Sequence, residues 1–407
     1  MMIKREIYLK QVRDLWNSDF IKVLVGLRRS GKTLLLRSII DEIKNNGVSE
    51  ENIFYFSFES FEHKHISSAK ELDDLVLELT RGVEGKLYFL FDEIQNVESW
   101  ESCINSYKVS FDCDIYITGS NSKLLSNELS TLLSGRFVRI DVYPFSFSEV
   151  LQYRREVDGW DLSSEDISNL FDEYLLWGGM PGLLSINDVN SKTNALRDIY
   201  DSIIINDVLS RYVIKDIDLF KRFSSYLMNS MSQTFSKTSI TNFLKNENKR
   251  TTRGTISNFT DYLCDCLFCE RVQRQDILGK NLLKTEEKYY LTDHGFHHAL
   301  VDDNSNWNGR VLENIVYLEL IRRNYKVKVG KIGDKEIDFI CVKPDRKIYI
   351  QVAYLISSDE VVEREFGSLL RVPDKFDAYV LSMDKLDMSQ DGIKHKYIID
   401  FLLDDEI

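Results

Sequence analysis

Two short stretches carry side chains suited to holding and cutting a phosphoanhydride. The first is Gly26-Leu27-Arg28-Arg29-Ser30-Gly31-Lys32-Thr33, which fits the G-x-x-x-x-G-K-[ST] pattern of a phosphate-binding loop. Its glycines let backbone N–H groups turn inward around a β-phosphate, Lys32 reaches the β- and γ-oxygens, and the Thr33 hydroxyl is placed to bind Mg²⁺. A helix opening at Leu34 adds partial positive charge at its N-terminus. Gly26, Arg28, Arg29, Ser30, Gly31, Lys32, Thr33 and Leu34 are therefore the expected nucleotide contacts. The second stretch, Lys86-Leu87-Tyr88-Phe89-Leu90-Phe91-Asp92-Glu93-Ile94-Gln95, is an apolar strand ending in two carboxylates. Strand C-termini are where open α/β sheets bind ligands. Asp92 is expected to hold Mg²⁺ through water, and Glu93 to orient and deprotonate the attacking water. Phosphoryl transfer needs mainly positioning and charge neutralisation, so these few groups suffice.

The elements that position these residues are legible around them. Ile21–Val25 reads as a buried strand and Leu34–Ile40 as a helix. Ile53–Phe58 reads as a further strand, as does Asp114–Thr118, which ends in the small polar residues Ser120, Asn121 and Ser122. Ser120 and Asn121 are candidates for touching the γ-phosphate or the lytic water; a plain turn is the other reading. A helix over Lys123–Leu133 leads to Ser134-Gly135-Arg136 and the strand Phe137–Val142. Arg136 either reaches a nucleotide held by a neighbouring subunit, which requires an oligomer, or makes a surface salt bridge. The expected fold is α/β, a doubly wound parallel sheet in which extra strands separate the phosphate loop from the acidic pair.

The chain of 407 residues has room for two to four domains. A net charge of −13 argues against a protein that coats nucleic acid over its whole surface, while leaving room for a local basic patch. Six cysteines in this length make no disulfide framework, so a reducing cytoplasm is expected. No apolar run approaches the ~20 residues that span a bilayer, and Met1–Ile7 lacks the apolar core of a signal peptide.

The chain resembles the AAA+ superfamily, and more closely the prokaryotic AAA+ ATPases with a C-terminal domain of uncharacterised, nuclease-like type. The matching residues are the phosphate loop, Phe91-Asp92-Glu93-Ile94-Gln95, Thr118-Gly119-Ser120-Asn121, Ser134-Gly135-Arg136-Phe137, Tyr143–Glu149 and Gly178-Gly179-Met180-Pro181. The resemblance is strong in the first half and weaker after about residue 200. It implies ATP rather than GTP, and no N-K-x-D base-reading motif occurs. It also implies that the Gly178–Gly182 turn, with helices over Ser163–Trp177 and Lys192–Leu209, belongs to a helical lid. Arg197 or Arg211 would be the lid's sensing arginine; the turn read by itself is a structural hinge.

Residues 215–300 read as a winged helix: a helix with Phe220, Phe223, Leu227 and Met231, a short one over Lys237–Asn246, and a longer one over Ile256–Glu270. The polar segment Leu278–Lys288 would be the wing. From Lys221 to Asp293 twelve Lys and Arg face eight Asp and Glu, a net of +4. Lys245, Lys249, Arg250 and Arg253 precede the longer helix and are placed to pair with DNA phosphates. Docking of a client protein is the alternative. Cys264, Cys266 and Cys269 lie near His294, His297 and His298, but their spacing is not a standard zinc pattern, and a core role for the thiols is expected.

After a polar linker, Asp302–Asn308, the last segment resembles the PD-(D/E)xK nuclease fold. Glu313 sits on a helix, Asp338 on a strand with Glu336 on the same face, and Gln351 and Ala353 on the next strand. Gln351 stands where a second metal-binding carboxylate belongs and Ala353 where the lysine belongs, so cleavage is not expected. The acidic tail, Asp400–Glu406, reads as a solvated end. Four segments result: an ATPase core at 1–155, a lid at 156–214, a winged helix at 215–300 and a degenerate nuclease-like domain at 301–407. The function expected is Mg²⁺-dependent ATP hydrolysis coupled to movement of the C-terminal domains, with a slow nucleotide-gated regulator as the alternative and an ATP-dependent nuclease, which would have to cut despite Ala353, as the third reading.

Overall fold

The computed structural model describes residues 3–120, 133, 135–246, 251–279, 282–301 and 307–404. Most of the expected helix at Lys123–Leu133 lies outside them, as do Asn121, Lys249 and Arg250. The chain divides into two compact units, Met1–Pro144 with Asp265–Leu267, and Phe145–Cys264 with Phe268–Ile407.

In the first unit α1 (Glu6–Asp14), β1 (Ile21–Val25), α2 (Lys32–Asn45), β2 (Ile53–Ser57), α3 (Ala69–Leu79), β3 (Leu87–Asp92), α4 (Trp100–Ser110), β4 (Cys113–Gly119) and β5 (Phe137–Asp141) follow in order. The five strands pair in the order β2-β3-β4-β1-β5, all parallel. Every residue of β1, β3 and β4 is buried, as a parallel sheet covered on both faces requires. One face packs Val23, Phe89, Phe91, Ile115 and Ile117 against α3 and α4 side chains such as Leu72, Val76 and Ile104. The other packs Leu24, Leu90 and Tyr116 against Leu9 of α1 and Leu35, Leu36 and Ile39 of α2. Strand β4 inserts between β1 and β3, so the phosphate loop and the acidic pair emerge two strands apart along one edge. The charge inside β1 is compensated: Lys22 is fully buried, 2.5 Å from Asp114, whose other oxygen accepts from Tyr116 and the Asn17 N–H.

The second unit begins with α5 (Phe147–Glu156), α6 (Ser164–Trp177) and α7 (Val189–Ile203). Ser146 with Glu149 and Ser163 with Asp166 form capping boxes that start the first two. The Gly178–Gly179 turn is pinned. The Asp293 carboxylate accepts from the N–H groups of Gly179 and Gly295, both at 2.9 Å. A Cβ on Gly178, which has φ of +71°, would fall 1.9 Å from that carboxylate. Burial pushes the Asp293 carboxyl up to about 7, against the pull of those N–H groups.

There follow α8 (Ile217–Asn229), β6 (Thr234–Phe235), α9 (Lys237–Asn246), α10 (Arg253–Asp265), β7 (Cys269–Asp276), β8 (Leu282–Leu291) and α11 (Gly295–Leu300). The expected helix Ile256–Glu270 is shorter. Leu267 takes a left-handed φ of 59°, and the Phe268 N–H folds back on Leu263 O. That ends α10 and frees Cys269 to start β7. Part of the expected wing is β8, paired antiparallel with β7 and β6.

The chain ends with α12 (Trp307–Arg322), β9 (Lys326–Ile332), β10 (Lys335–Val342), β11 (Lys347–Val352), α13 (Asp359–Leu370), β12 (Asp377–Ser382), β13 (Lys394–Tyr397) and α14 (Ile398–Leu403). One eight-stranded sheet, β13-β12-β11-β10-β9-β7-β8-β6, runs through the unit, joined by the parallel pairing of β7 with β9. The tail is not wholly solvated: Ile398, Ile399, Phe401 and Leu402 of α14 are buried, and its apolar spacing outweighs the charge of Asp400.

Candidate nucleotide site

The phosphate loop joins β1 to α2 in a conformation that its glycines permit. A Cβ on Gly26 would fall 2.1 Å from Val142 O, so only glycine fits there. Gly31 caps α2 with φ of +98°, and Arg29 also takes a left-handed φ, 67°. Ser30 and Lys32 are buried, Thr33 is half-buried, and Arg29 and Leu34 are exposed. Arg28 pairs with Glu59 at 3.1 Å. The Lys32 ammonium, 4% exposed, donates to Gly26 O at 3.0 Å and Leu27 O at 3.2 Å and lies 3.4 Å from Glu93 Oε1.

Asp92 ends β3 as the sequence predicts. Its Oδ1 accepts from the Thr118 hydroxyl at 2.6 Å and its Oδ2 from the Tyr55 hydroxyl at 3.1 Å. Glu93 has φ of 55°, a strained position for a side chain with a Cβ, and such strain clusters at functional sites. Its N–H donates to Thr118 Oγ1 at 2.9 Å. Its carboxylate accepts from Ser120 Oγ at 3.1 Å and from Gln95 Nε2. Burial would raise the Glu93 carboxyl, but Lys32, then Gln95, Arg28 and Ser120, outweigh it and hold the group below the usual carboxylate range. The shift favours the charged form of Glu93.

The structure therefore brings together Gly26, Ser30, Gly31, Lys32, Thr33, Asp92, Glu93 and Ser120 at the C-terminal edge of the sheet. These residues fit a bound triphosphate with its Mg²⁺: a loop shaped by Gly26 and Gly31, a buried ammonium held largely by carbonyls, a hydroxyl on the first helical turn, and a buried carboxylate pair. Asn121 lies outside the described residues. Arg136 is not brought in. It is exposed at the start of β5, at the end of the parallel strands opposite the loop.

Four further residues complete the site. Thr118 links Asp92 to Glu93, Gln95 holds Glu93, and Tyr55 reaches across from β2. Arg5, 3% exposed, donates to Ser30 O at 3.1 Å and Tyr143 O at 2.8 Å and so ties the loop to the chain after β5. Thr118 and Gln95 lie within the motifs and were accessible from their position; Arg5 carries no local signal.

In the second unit Arg197 donates to Ala299 O and Arg211 pairs with Asp207. Arg253 is exposed at the start of α10. The cysteines and histidines form no metal site among the described residues. The Cys264 and Cys269 sulfurs lie 3.8 Å apart, and His294 Nε2 is bonded to Tyr174 O. Glu313, Asp338 and Gln351 do converge, on the wall of a cavity of about 990 Å³.

Residues 18–151 match the AAA domain family, and residues 168–306 match a domain of unknown function (DUF8612). An uncharacterised protein of Haemophilus influenzae is 40% identical over 404 residues, 99% of each chain. An uncharacterised protein of Methanocaldococcus jannaschii is 30% identical over 360 residues, 87% of this chain and 78% of that one. This chain belongs to their family. Among solved structures, a Walker-type ATPase of Pyrococcus abyssi superposes with a TM-score of 0.51 at 15% identity, covering 74% of this chain and 96% of that one. The family member described here thus has an AAA+, Walker-type ATPase fold. Among the described residues no helix is long and apolar enough to cross a membrane.

Proposed function

We propose that this protein hydrolyses ATP with Mg²⁺ and delivers the resulting conformational change to its second unit. One observation carries this reading: a buried lysine and a strained, buried glutamate stand 3.4 Å apart beside Asp92 and the phosphate loop. Lys32, with the N–H groups of residues 26–34, would hold the phosphates. Thr33 and Asp92 would hold Mg²⁺, whose charge neutralises the phosphate oxygens. Glu93 accepts the proton of the attacking water, and Ser120 orients its carboxylate.

Release of phosphate by wild type and Glu93→Gln tests this. Turnover is expected to fall by about 10²–10⁴-fold, the usual worth of a general base, with ATP affinity retained. Equal turnover would remove Glu93 from the role.

A slow, switch-like ATPase is favoured by one feature. Glu93 is held by Lys32, Gln95 and Ser120 at once, so the base must be freed before it acts. Arg136, exposed and remote from its own loop, acts if at all on a nucleotide held by a second copy, which makes turnover dependent on concentration.

In the second unit the order of elements from α8 to β8 supports a winged-helix reading, and in sequence Lys245, Lys249, Arg250 and Arg253 run from the last turn of α9 to the first residue of α10. We assign this surface to duplex DNA phosphates, with a protein client as the competing partner. Replacing the four with Ala is expected to weaken duplex binding and flatten its salt dependence; unchanged affinity favours the client. The six cysteines are all free thiols, which suits the cytoplasm.

A further inference from the structure

The cavity in the second unit is walled by a carboxylate cluster that already holds a cation. Lys288, on β8, is 3% exposed at its side chain. Its Nζ lies 2.9 Å from Glu313 Oε1, 2.7 Å from Glu336 Oε1 and 3.7 Å from Asp338 Oδ1. These three carboxylates come from α12 and β10, so the lysine reaches them from a strand that precedes both in sequence.

Further contacts hold the same side chains. The Tyr290 hydroxyl donates to Glu313 Oε1 at 2.7 Å, and Arg274 lies 3.2 Å from Glu336 Oε2. The Val352 N–H donates to Asp338 Oδ2 at 2.9 Å. Gln351 accepts from the Asp338 N–H at 2.7 Å and donates to Glu365 at 2.8 Å. Every residue that sequence matched to a metal-dependent nuclease site and that has a polar side chain is therefore bonded inside the protein.

Burial by itself would lower the Lys288 ammonium, but Glu313, Asp338 and Glu336 outweigh it and hold the group far above its ordinary value. Burial pushes the Glu313 and Asp338 carboxyls up, and Lys288 opposes it. The ammonium donates to Glu313 and lies within hydrogen-bond distance of Glu336, and at 3.7 Å it acts on Asp338 through its charge. A Mg²⁺ ion needs near-octahedral oxygen ligands at about 2.0–2.1 Å, the same lone pairs that Lys288 and its neighbours occupy.

We propose that Lys288 is the resident cation of this cluster: it stands where a divalent metal would, shuts the site to Mg²⁺, and leaves the cavity without metal-dependent cleavage. On this view Lys288 does not restore the catalytic lysine missing at Ala353. It replaces the metal, and it ties β8 to the strands that follow. The inference does not depend on the ATPase reading.

Crystals of the full chain soaked in MnCl₂ without nucleotide test this by anomalous scattering. Wild type is expected to show no peak among Glu313, Glu336 and Asp338, and Lys288→Ala is expected to show one. In solution, with Asp92→Asn in both proteins to remove the Mn²⁺ ligand of the nucleotide site, Lys288→Ala should bind Mn²⁺ at least about tenfold more tightly, because uncompensated buried carboxylates seek a cation. A Mn²⁺ peak in wild type, with Lys288 displaced, would overturn the proposal. So would Mg²⁺-dependent DNA cleavage by wild type that Glu313→Gln abolishes, or a folded Lys288→Ala protein with no peak. If Lys288→Ala does not fold, the wild-type soak and cleavage assay decide.

Discussion

Lys32 and Lys288 are both buried ammonium groups, 4% and 3% exposed, and their surroundings differ in kind. Lys32 rests on two carbonyl oxygens and one carboxylate at 3.4 Å. That is a weak cage for a full charge, and a polyphosphate offers more. Lys288 sits among three carboxylates, two of them within 2.9 Å. A buried lysine marks a binding site when its own contacts underserve its charge, and a closed network when they satisfy it.

Breaking the closed network should have the largest effect. Lys288→Ala leaves buried carboxylates without their cation, which costs about 3–5 kcal/mol; denaturant unfolding measures it. Glu313 and Asp338 are raised carboxyls, so each favours the folded state most when protonated, at low pH, and loses that contribution as pH rises through its folded value. Losing the ammonium raises both further. The deficit of the variant relative to wild type is therefore expected to grow from pH 5 to pH 8. A deficit that shrinks over that range would show that Lys288 is not their partner.

At the open site the counterpart is Lys32→Ala. It should weaken ATP binding about 100-fold, equivalent to roughly 2.7 kcal/mol and within the range for hydrogen bonds to charged groups. Stability should fall by less than in Lys288→Ala, because Lys32 is the partner of one buried carboxylate, Glu93, and Lys288 of three. Calorimetric titration together with a melting curve separates the two effects; a large loss of stability with unchanged affinity would reverse the contrast. Arg5→Ala should cost about 1–3 kcal/mol of stability by removing its hydrogen bonds to Ser30 O and Tyr143 O, and should raise KM more than it lowers kcat. The smallest effect belongs to Gln95→Ala. Losing one hydrogen bond of about 1 kcal/mol frees Glu93, and basal turnover should rise up to about fivefold. A fall in turnover would make Gln95 a positioning residue for the reaction instead of a restraint.

The open site was legible in the sequence because it is built from contiguous motifs. Gly26 and Gly31 stand where backbone geometry admits only or mainly glycine, and Asp92 and Glu93 stand at the end of an apolar strand. Their convergence follows from parallel strands sharing one edge. Tyr55 and Arg5 were not legible, since they arrive through sheet order and the packing of α1. The closed network was half legible: Glu336 and Asp338 alternate on one strand face and Glu313 lies on the preceding helix. Lys288 was read only as part of a wing, because nothing local shows that β7 pairs with β9 and carries β8 toward those acids. The end of α10 was misread for a related reason. Apolar spacing continues past Asp265, and only the left-handed turn at Leu267 stops the helix.

The most direct measurement is a crystal structure of the full chain with Mg²⁺ and a non-hydrolysable ATP analogue. Phosphate oxygens are expected on Lys32 and the N–H groups of residues 26–34, the ion beside Thr33 and Asp92, and Lys32 drawn away from Gly26 O and Leu27 O. An analogue bound elsewhere, or a Lys32 still seated on those carbonyls beneath it, would contradict the nucleotide site.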